Sequence, residues 1–298
     1  MAHTRIRTRS AGLAAAALVF GGFVAAASAP GPAMAATPEL VDTFSVGDFP
    51  FALAVSPGGG TLYVANAGDG TVMAVDTATG TAGPPIAVGD FPASLALTPD
   101  GSLLYVANMW SDDVSVVDTA ANTVTATVPV GSSAFVFPYA VVVSPDGSVA
   151  YVANYDEGTV SLIDTASNTE TATITVGNIP ISVAISADGA RLYVVNLDDA
   201  TVSVIDTASA AVTATVAVGG TPNAVAVSPD GATVYVTNDD GTIAVIDAAS
   251  NTVTATAPVG GLPIAITVAP DGASLFVVDG VVHRVARARQ RTENALRG

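Results

Sequence analysis

One tetrapeptide returns along the chain at nearly constant intervals, and that periodicity restricts the possible folds more than any other feature. Tyr63-Val64-Ala65-Asn66 recurs as Tyr105-Val106-Ala107-Asn108, Tyr151-Val152-Ala153-Asn154, Tyr193-Val194-Val195-Asn196, Tyr235-Val236-Thr237-Asn238 and, degenerate, Phe276-Val277-Val278-Asp279. The spacings are 42, 46, 42, 42 and 41 residues. A period near 42 belongs to propeller blades or to helical arrays. Local pattern decides between them.

In the third copy, Tyr139 to Val143 is a continuous apolar run, as expected of an innermost strand buried on both faces. Ser144-Pro145-Asp146-Gly147 makes a turn, and Val149 to Asn154 is the second strand. Asp156-Glu157-Gly158 turns the chain into a third strand, Thr159 to Asp164. After Thr165-Ala166-Ser167-Asn168, Thr169 to Val176 alternates threonines with apolar residues, the pattern of an outer strand with one wet face. Val, Thr and Ile suit a pleated sheet and are poor helix formers, so the array is all-β. A four-stranded sheet cannot cover its own faces, so copies must stack.

Three motifs recur together: the Y-V-[AVT]-N strand, the S-P-D-G turn, and V-G-x-x-P, as in Val46-Gly47-Asp48-Phe49-Pro50, Val88-Gly89-Asp90-Phe91-Pro92 and Val176-Gly177-Asn178-Ile179-Pro180. On these the chain resembles the YVTN-type β-propeller repeat proteins, which are exported and surface proteins of bacteria and archaea. The resemblance runs from about Glu39 to Val282 and implies a fold, not an activity. It also implies a common form of seven blades, whereas this chain offers six repeats. Leu40 to Val46 matches a fourth strand lacking its three predecessors, and the last copy, with strands at Ile264 to Val268, Ser274 to Asp279 and Val281 to Ala286, lacks a fourth. The N-terminal strand is therefore expected to complete the last blade as a clasp, removing an exposed sheet edge.

The ends read differently from the body. Residues 1–35 form an export signal, with arginines before an apolar run from Ala11 to Ala27 and Ala33-Met34-Ala35 as cleavage site. Residues 36–286 form the propeller and 287–298 an Arg-rich tail. The mature protein is expected to be monomeric, secreted or associated with the cell surface, and without a membrane span. With 26 acidic residues against nine basic ones, its body repels phosphate backbones, which excludes nucleic acid as a partner.

Catalytic side chains are scarce. Cysteine and lysine are absent and His283 is the one histidine after the signal, so a nucleophilic triad would have to be built around an atypical last blade. The aspartates of the S-P-D-G turns, and those ending each third strand, repeat in every blade and read as turn caps. Asymmetry is the better guide to a site. Blade two carries Met109-Trp110-Ser111-Asp112-Asp113, with the sole tryptophan; the next crossover is lengthened to Ser132-Ser133-Ala134-Phe135-Val136-Phe137; and blade three offers Tyr155-Asp156-Glu157. Propeller geometry puts these loops at one end. Trp110, Phe135, Phe137 and Tyr155 are thus candidate contacts for a protein or glycan ligand, with Asp112, Asp113, Asp156 and Glu157 at the rim. The competing reading is a long loop that packs its own phenylalanines. No cofactor is expected. A divalent cation belongs to the alternative function, a hydrolase resembling propeller lactonases, in which carboxylates and Asn66, Asn108, Asn154, Asn196 and Asn238 surround the ion. A haem- or quinone-linked electron-transfer role lacks an attachment residue.

Overall fold

A computed structural model describes residues 44–133, 135–280 and, as backbone, 284–289. The export signal, the clasp residues Leu40 to Thr43, His283 and residues 290–298 lie outside them. The described chain forms six antiparallel sheets, five of four strands and a last one of three, each in simple sequence order. The blades span 50–87, 92–129, 138–175, 180–217, 222–258 and 263–289. In blade 3 the strands are Pro138–Val143, Val149–Asn154, Thr159–Asp164 and Thr169–Thr175, within a residue of the sequence reading.

Period-two alternation sends each second strand into two cores. Leu104 and Val106 join Ala52, Tyr63 and Val72 of blade 1, whereas Tyr105 and Ala107 join Val141, Val143 and Val152 of blade 3. All four are inaccessible to solvent. Adjacent blades share such a core throughout, which makes five cores for six blades. Innermost strands of successive blades pack side by side from Pro50–Val55 to Pro263–Val268. Among the described residues no core joins blade 6 to blade 1. The part of the clasp that is described, Phe44 to Val46, forms no strand, so these residues do not close the ring.

Two contacts explain why the motifs repeat. The tyrosine of blade 2 reaches the outer turn of blade 3: the Tyr105 hydroxyl donates to Asn168 Oδ1 at 2.7 Å, and burial pushes its phenol up to about 12, helped by the nearby Asp164 charge. The glycine of each S-P-D-G turn faces the proline of the preceding blade's turn. A Cβ on Gly101 would meet Pro57 at 2.9 Å and one on Gly147 would meet Pro99 at 3.2 Å. Blade 4 has Ala187 in place of that proline, and Gly231 of blade 5 accordingly faces open space.

The outer strands depart from the expected half-wet pattern. Thr169–Thr175 buries only Ile174 fully, and Thr252–Pro258 is exposed throughout. A bulge between Leu162 and Ile163 interrupts the pairing, and Thr171 Oγ1 donates to the Leu162 carbonyl at 3.2 Å. In blade 1 the outer strand shrinks to Ile86–Ala87, because Pro84 and Pro85 have no N–H to donate to the ladder. The third strand of the last blade runs at Arg284–Arg289, three residues beyond the expected Val281 to Ala286. Asp279 pairs with Arg284 at the same separation as Asn196 with Thr201.

Candidate functional site

The crossover from one blade to the next is shaped by a close approach. A Cβ on Gly89 would lie 2.8 Å from the Asn108 side chain and 2.7 Å from Ser111 Oγ, and one on Gly177 would lie 2.6 Å from Asn196. Only glycine fits at these positions; in the V-G-G copies the close approach falls on the second glycine, Gly220 or Gly261, while Gly219 and Gly260 face open space at φ 84° and 74°. The proline then opens the inner strand, where no N–H is needed. Immediately before it, Phe49, Phe91, Phe137 and Ile179 hold left-handed φ angles of 50°, 53°, 52° and 54°. Such backbone costs about 1 kcal/mol or more for a residue with a Cβ. Its carbonyl is thereby turned toward the neighbouring turn: Phe91 O accepts from Met109 N at 3.0 Å, and Phe137 O accepts from Tyr155 N at 2.9 Å. Trp110 N donates to Asp90 O at 3.1 Å, which seats the tryptophan over its own crossover.

These bonds bring together an aromatic surface larger than the sequence-predicted one. Trp110 stacks on Phe91 with centroids 4.5 Å apart, Phe91 meets Phe49 at 6.0 Å and Phe51 at 5.4 Å, and Phe51 meets Tyr139 edge-on at 6.4 Å. Tyr139 in turn meets Tyr155 at 5.7 Å. Six rings from blades 1, 2 and 3 thus form one continuous network. Trp110 is 62% and Phe49 56% exposed. Phe135, 66% exposed, pairs with Phe137 at 6.1 Å, and no ring contact joins that pair to the six. The residue between them, Val136, is fully buried in the core shared by blades 2 and 3, so the lengthened crossover is anchored by a residue the sequence did not single out.

The four rim carboxylates play different parts. Asp112 Oδ1 accepts from Val136 N and Phe137 N at 3.0 and 2.9 Å, and Glu157 Oε1 accepts from Ser132 N at 2.9 Å, so both hold the long crossover in place. Burial raises the Glu157 pKa, but hydrogen bonds from Ser132, Thr159 and Ser133 together outweigh it and leave the pKa lowered. Asp113 accepts from Asn108 Nδ2 at 2.7 Å; burial raises its pKa, and Asp112 and Asp90 add to the rise. Asp156 is exposed. Asp48 and Asp90 are exposed as well, beside Phe49 and Phe91. The signal that could have found Phe49, Phe91 and their aspartates was in plain view: V-G-D-F-P in the first two copies against V-G-N-I-P, V-G-G-T-P and V-G-G-L-P in the last three.

Except at Asn196, the strand-end asparagines leave one atom unpaired: Oδ1 of Asn66, Asn108, Asn154 and Asn238 is buried without a hydrogen-bond partner among the described residues. They are buried within their blades, where Asn154 Nδ2 donates to Thr159 and Ser161 at 2.9 and 2.7 Å and Asn196 Nδ2 donates to Thr201 and Ser203 at 3.0 and 2.9 Å. Asn196 Oδ1 also accepts from Gly177 N at 3.1 Å. Among the described residues no three His, Cys, Asp or Glu side chains gather in a way that could hold a metal ion. No helix among them is long and apolar enough to cross a membrane.

Comparison with known proteins agrees on the architecture. The YNCE-like beta-propeller family matches residues 32–149, and the Cytochrome D1 heme domain, also a propeller family, matches residues 146–271. No curated protein matches. Among solved structures, hydrazine synthase of Kuenenia stuttgartiensis superposes with a TM-score of 0.58 at 22% identity, covering 84% of this chain and 97% of that one. At that identity the likeness shows the fold alone. Residues 146–271 contain no His, Cys or Met to ligate iron; of their tyrosines, Tyr151, Tyr193 and Tyr235 are buried between blades, and Tyr155 is half-buried against Tyr139. Six repeated sheets and two adjoining propeller-family matches make this chain a β-propeller, consistent with the YVTN type of repeat.

Proposed function

We propose that the protein is an exported, non-catalytic binding module whose recognition surface is the aromatic half of its crossover end. One observation carries the reading: six rings in mutual contact, with Trp110 and Phe49 more than half exposed, on a rigid frame of buried strands. Solvent rarely faces a contiguous aromatic patch on a monomer unless a partner covers it. Rings already stacked on one another lose little freedom on binding, which suits them as anchors. The alternative, a hydrolase built on the strand-end asparagines, has in its favour the Oδ1 atoms of Asn66, Asn108, Asn154 and Asn238, buried without a hydrogen-bond partner among the described residues, but no carboxylate cluster that could complete a cation site is found among those residues. Glycan and peptide arrays probed with the mature protein and with Trp110→Ala test the proposal. Ligands captured by the parent and lost by the variant support it. Capture equal in both removes the aromatic half as the site.

A further inference from the structure

At the V-G-x-x-P crossovers of blades 1 and 2 a phenylalanine and an exposed aspartate stand side by side, whereas blades 4 and 5 carry exposed carboxylates at this end, Asp198 and Asp239, without rings. In blades 1 and 2 the residue before each phenylalanine is Asp48 or Asp90, and in blade 3 Asp156 follows Tyr155. All three carboxylates are exposed, and none makes a side-chain hydrogen bond or ion pair among the described residues. At the corresponding crossovers of blades 4, 5 and 6 the pairs become Asn178-Ile179, Gly220-Thr221 and Gly261-Leu262. Ring and charge are both absent there, while the blade 3 crossover keeps the ring of Phe137 after an uncharged Val136. The loops of this end contain no arginine or lysine from residue 44 to 280, the one arginine of that span, Arg191, beginning a second strand at the other end.

We infer that the aromatic half takes a polypeptide segment carrying lysine or arginine. The inference rests on the binding-module reading and specifies its partner. A guanidinium or ammonium group laid on a ring face is attracted by the ring quadrupole, and a carboxylate beside that ring strengthens the attraction. Asp48 with Phe49, Asp90 with Phe91 and Trp110, and Asp156 with Tyr155 supply three such pairs. Three pairs drawn from three blades fit an extended chain with several cationic side chains better than a single small amine. Neutral sugars would stack on the rings and donate hydroxyls to the carboxylates, but only a cationic ligand adds net charge attraction to both.

Titration of the mature protein with a Gly-Arg repeat peptide, followed by Trp110 fluorescence, tests this. The expected result is a blue-shifted emission, an affinity that falls with added salt, and at least about tenfold weaker binding when citrulline replaces arginine. Asp48→Asn with Asp90→Asn should weaken the arginine peptide about tenfold, while Asp198→Asn with Asp239→Asn, exposed at the same end in blades 4 and 5, should stay within about twofold. Equal affinity for the citrulline peptide overturns the inference. So does a neutral oligosaccharide that shifts Trp110 when the arginine peptide does not, although the binding-module reading then survives. If neither ligand perturbs Trp110 and Trp110→Ala lowers the melting temperature, both readings fall.

Discussion

The crossovers entering blades 1 to 3 and the one entering blade 4 share one backbone conformation before the proline and carry different chemistry on it. Phe91 and Ile179 hold the same left-handed φ, 53° and 54°, before the same proline, and each carbonyl receives the N–H of the residue after a buried asparagine. Yet Phe91 lies in a network of six rings, and Ile179 has no aromatic neighbour of that kind. The left-handed φ therefore does not depend on a ring, since Ile179 holds it too; in blades 5 and 6 positive φ passes to Gly219, Gly260 and Gly261. What repeats in all the blades is the carbonyl bond, seen again where Asp239 N donates to Thr221 O and Gly280 N to Leu262 O. The rings occur only in the first three blades, and the aspartate before a phenylalanine only in the first two.

That separation can be broken most strongly at the scaffold. Gly89→Ala and Gly177→Ala each drive a Cβ into an asparagine at 2.8 and 2.6 Å, and should destabilise by about 3 kcal/mol in both halves alike, whereas Gly58→Ala, facing open space, should stay near the parent. Chemical denaturation measures this. A large loss in only one half would mean that the two crossovers are not equivalent.

A smaller, one-sided effect is expected at the side chains. Trp110→Ala should weaken any captured ligand by about 2 kcal/mol and leave thermal stability nearly intact, because the indole is mostly exposed. Ile179→Ala should leave affinity unchanged. Calorimetric titration of the two variants against the parent distinguishes them, and a loss of affinity from Ile179→Ala would extend the site beyond the aromatic half.

The smallest effect concerns the opposite end, where the two halves should agree. Bonds from Ser144 and Ser148 hold the Asp146 pKa down at about 2, and Asp164 and Asp206 are lowered by Ser167 and Ser209. A carboxylate depressed on folding contributes stability above its unfolded pKa and loses it as pH falls through the folded one. The melting temperature should thus be level above about pH 5 and decline between about pH 4 and 2. Asp146→Asn and Asp188→Asn, in blades 3 and 4, should each remove a similar small part of that decline.

How far such features are legible in sequence depends on whether the repeat carries them. Val149–Asn154 and Thr159–Asp164 were readable to the residue, since turn chemistry brackets both. Arg284–Arg289 was misplaced by three positions because its residues resemble no other third strand, and only the pairing of Asp279 with Arg284 reveals the register. Trp110 stood out as a departure from the repeat. Phe49 and Phe91 did not, because they sit inside a motif that reads as a fold element. Phe51 and Tyr139 belong to different blades and meet only in three dimensions, a contact that spacing along the chain does not encode. Asp112 and Glu157 looked like rim charges, but their role as acceptors for loop N–H groups depends on where Val136 and Ser132 fold back.

The central claim, that the aromatic half stands open for a partner, is tested most directly by the emission of Trp110, the chain's one tryptophan. In the free protein it should be that of a solvent-exposed indole, readily quenched by acrylamide, and on ligand binding it should shift to the blue and lose most of that quenching. A blue, acrylamide-shielded emission in the free protein, together with a lowered melting temperature for Trp110→Ala, would contradict the account and assign the rings to packing.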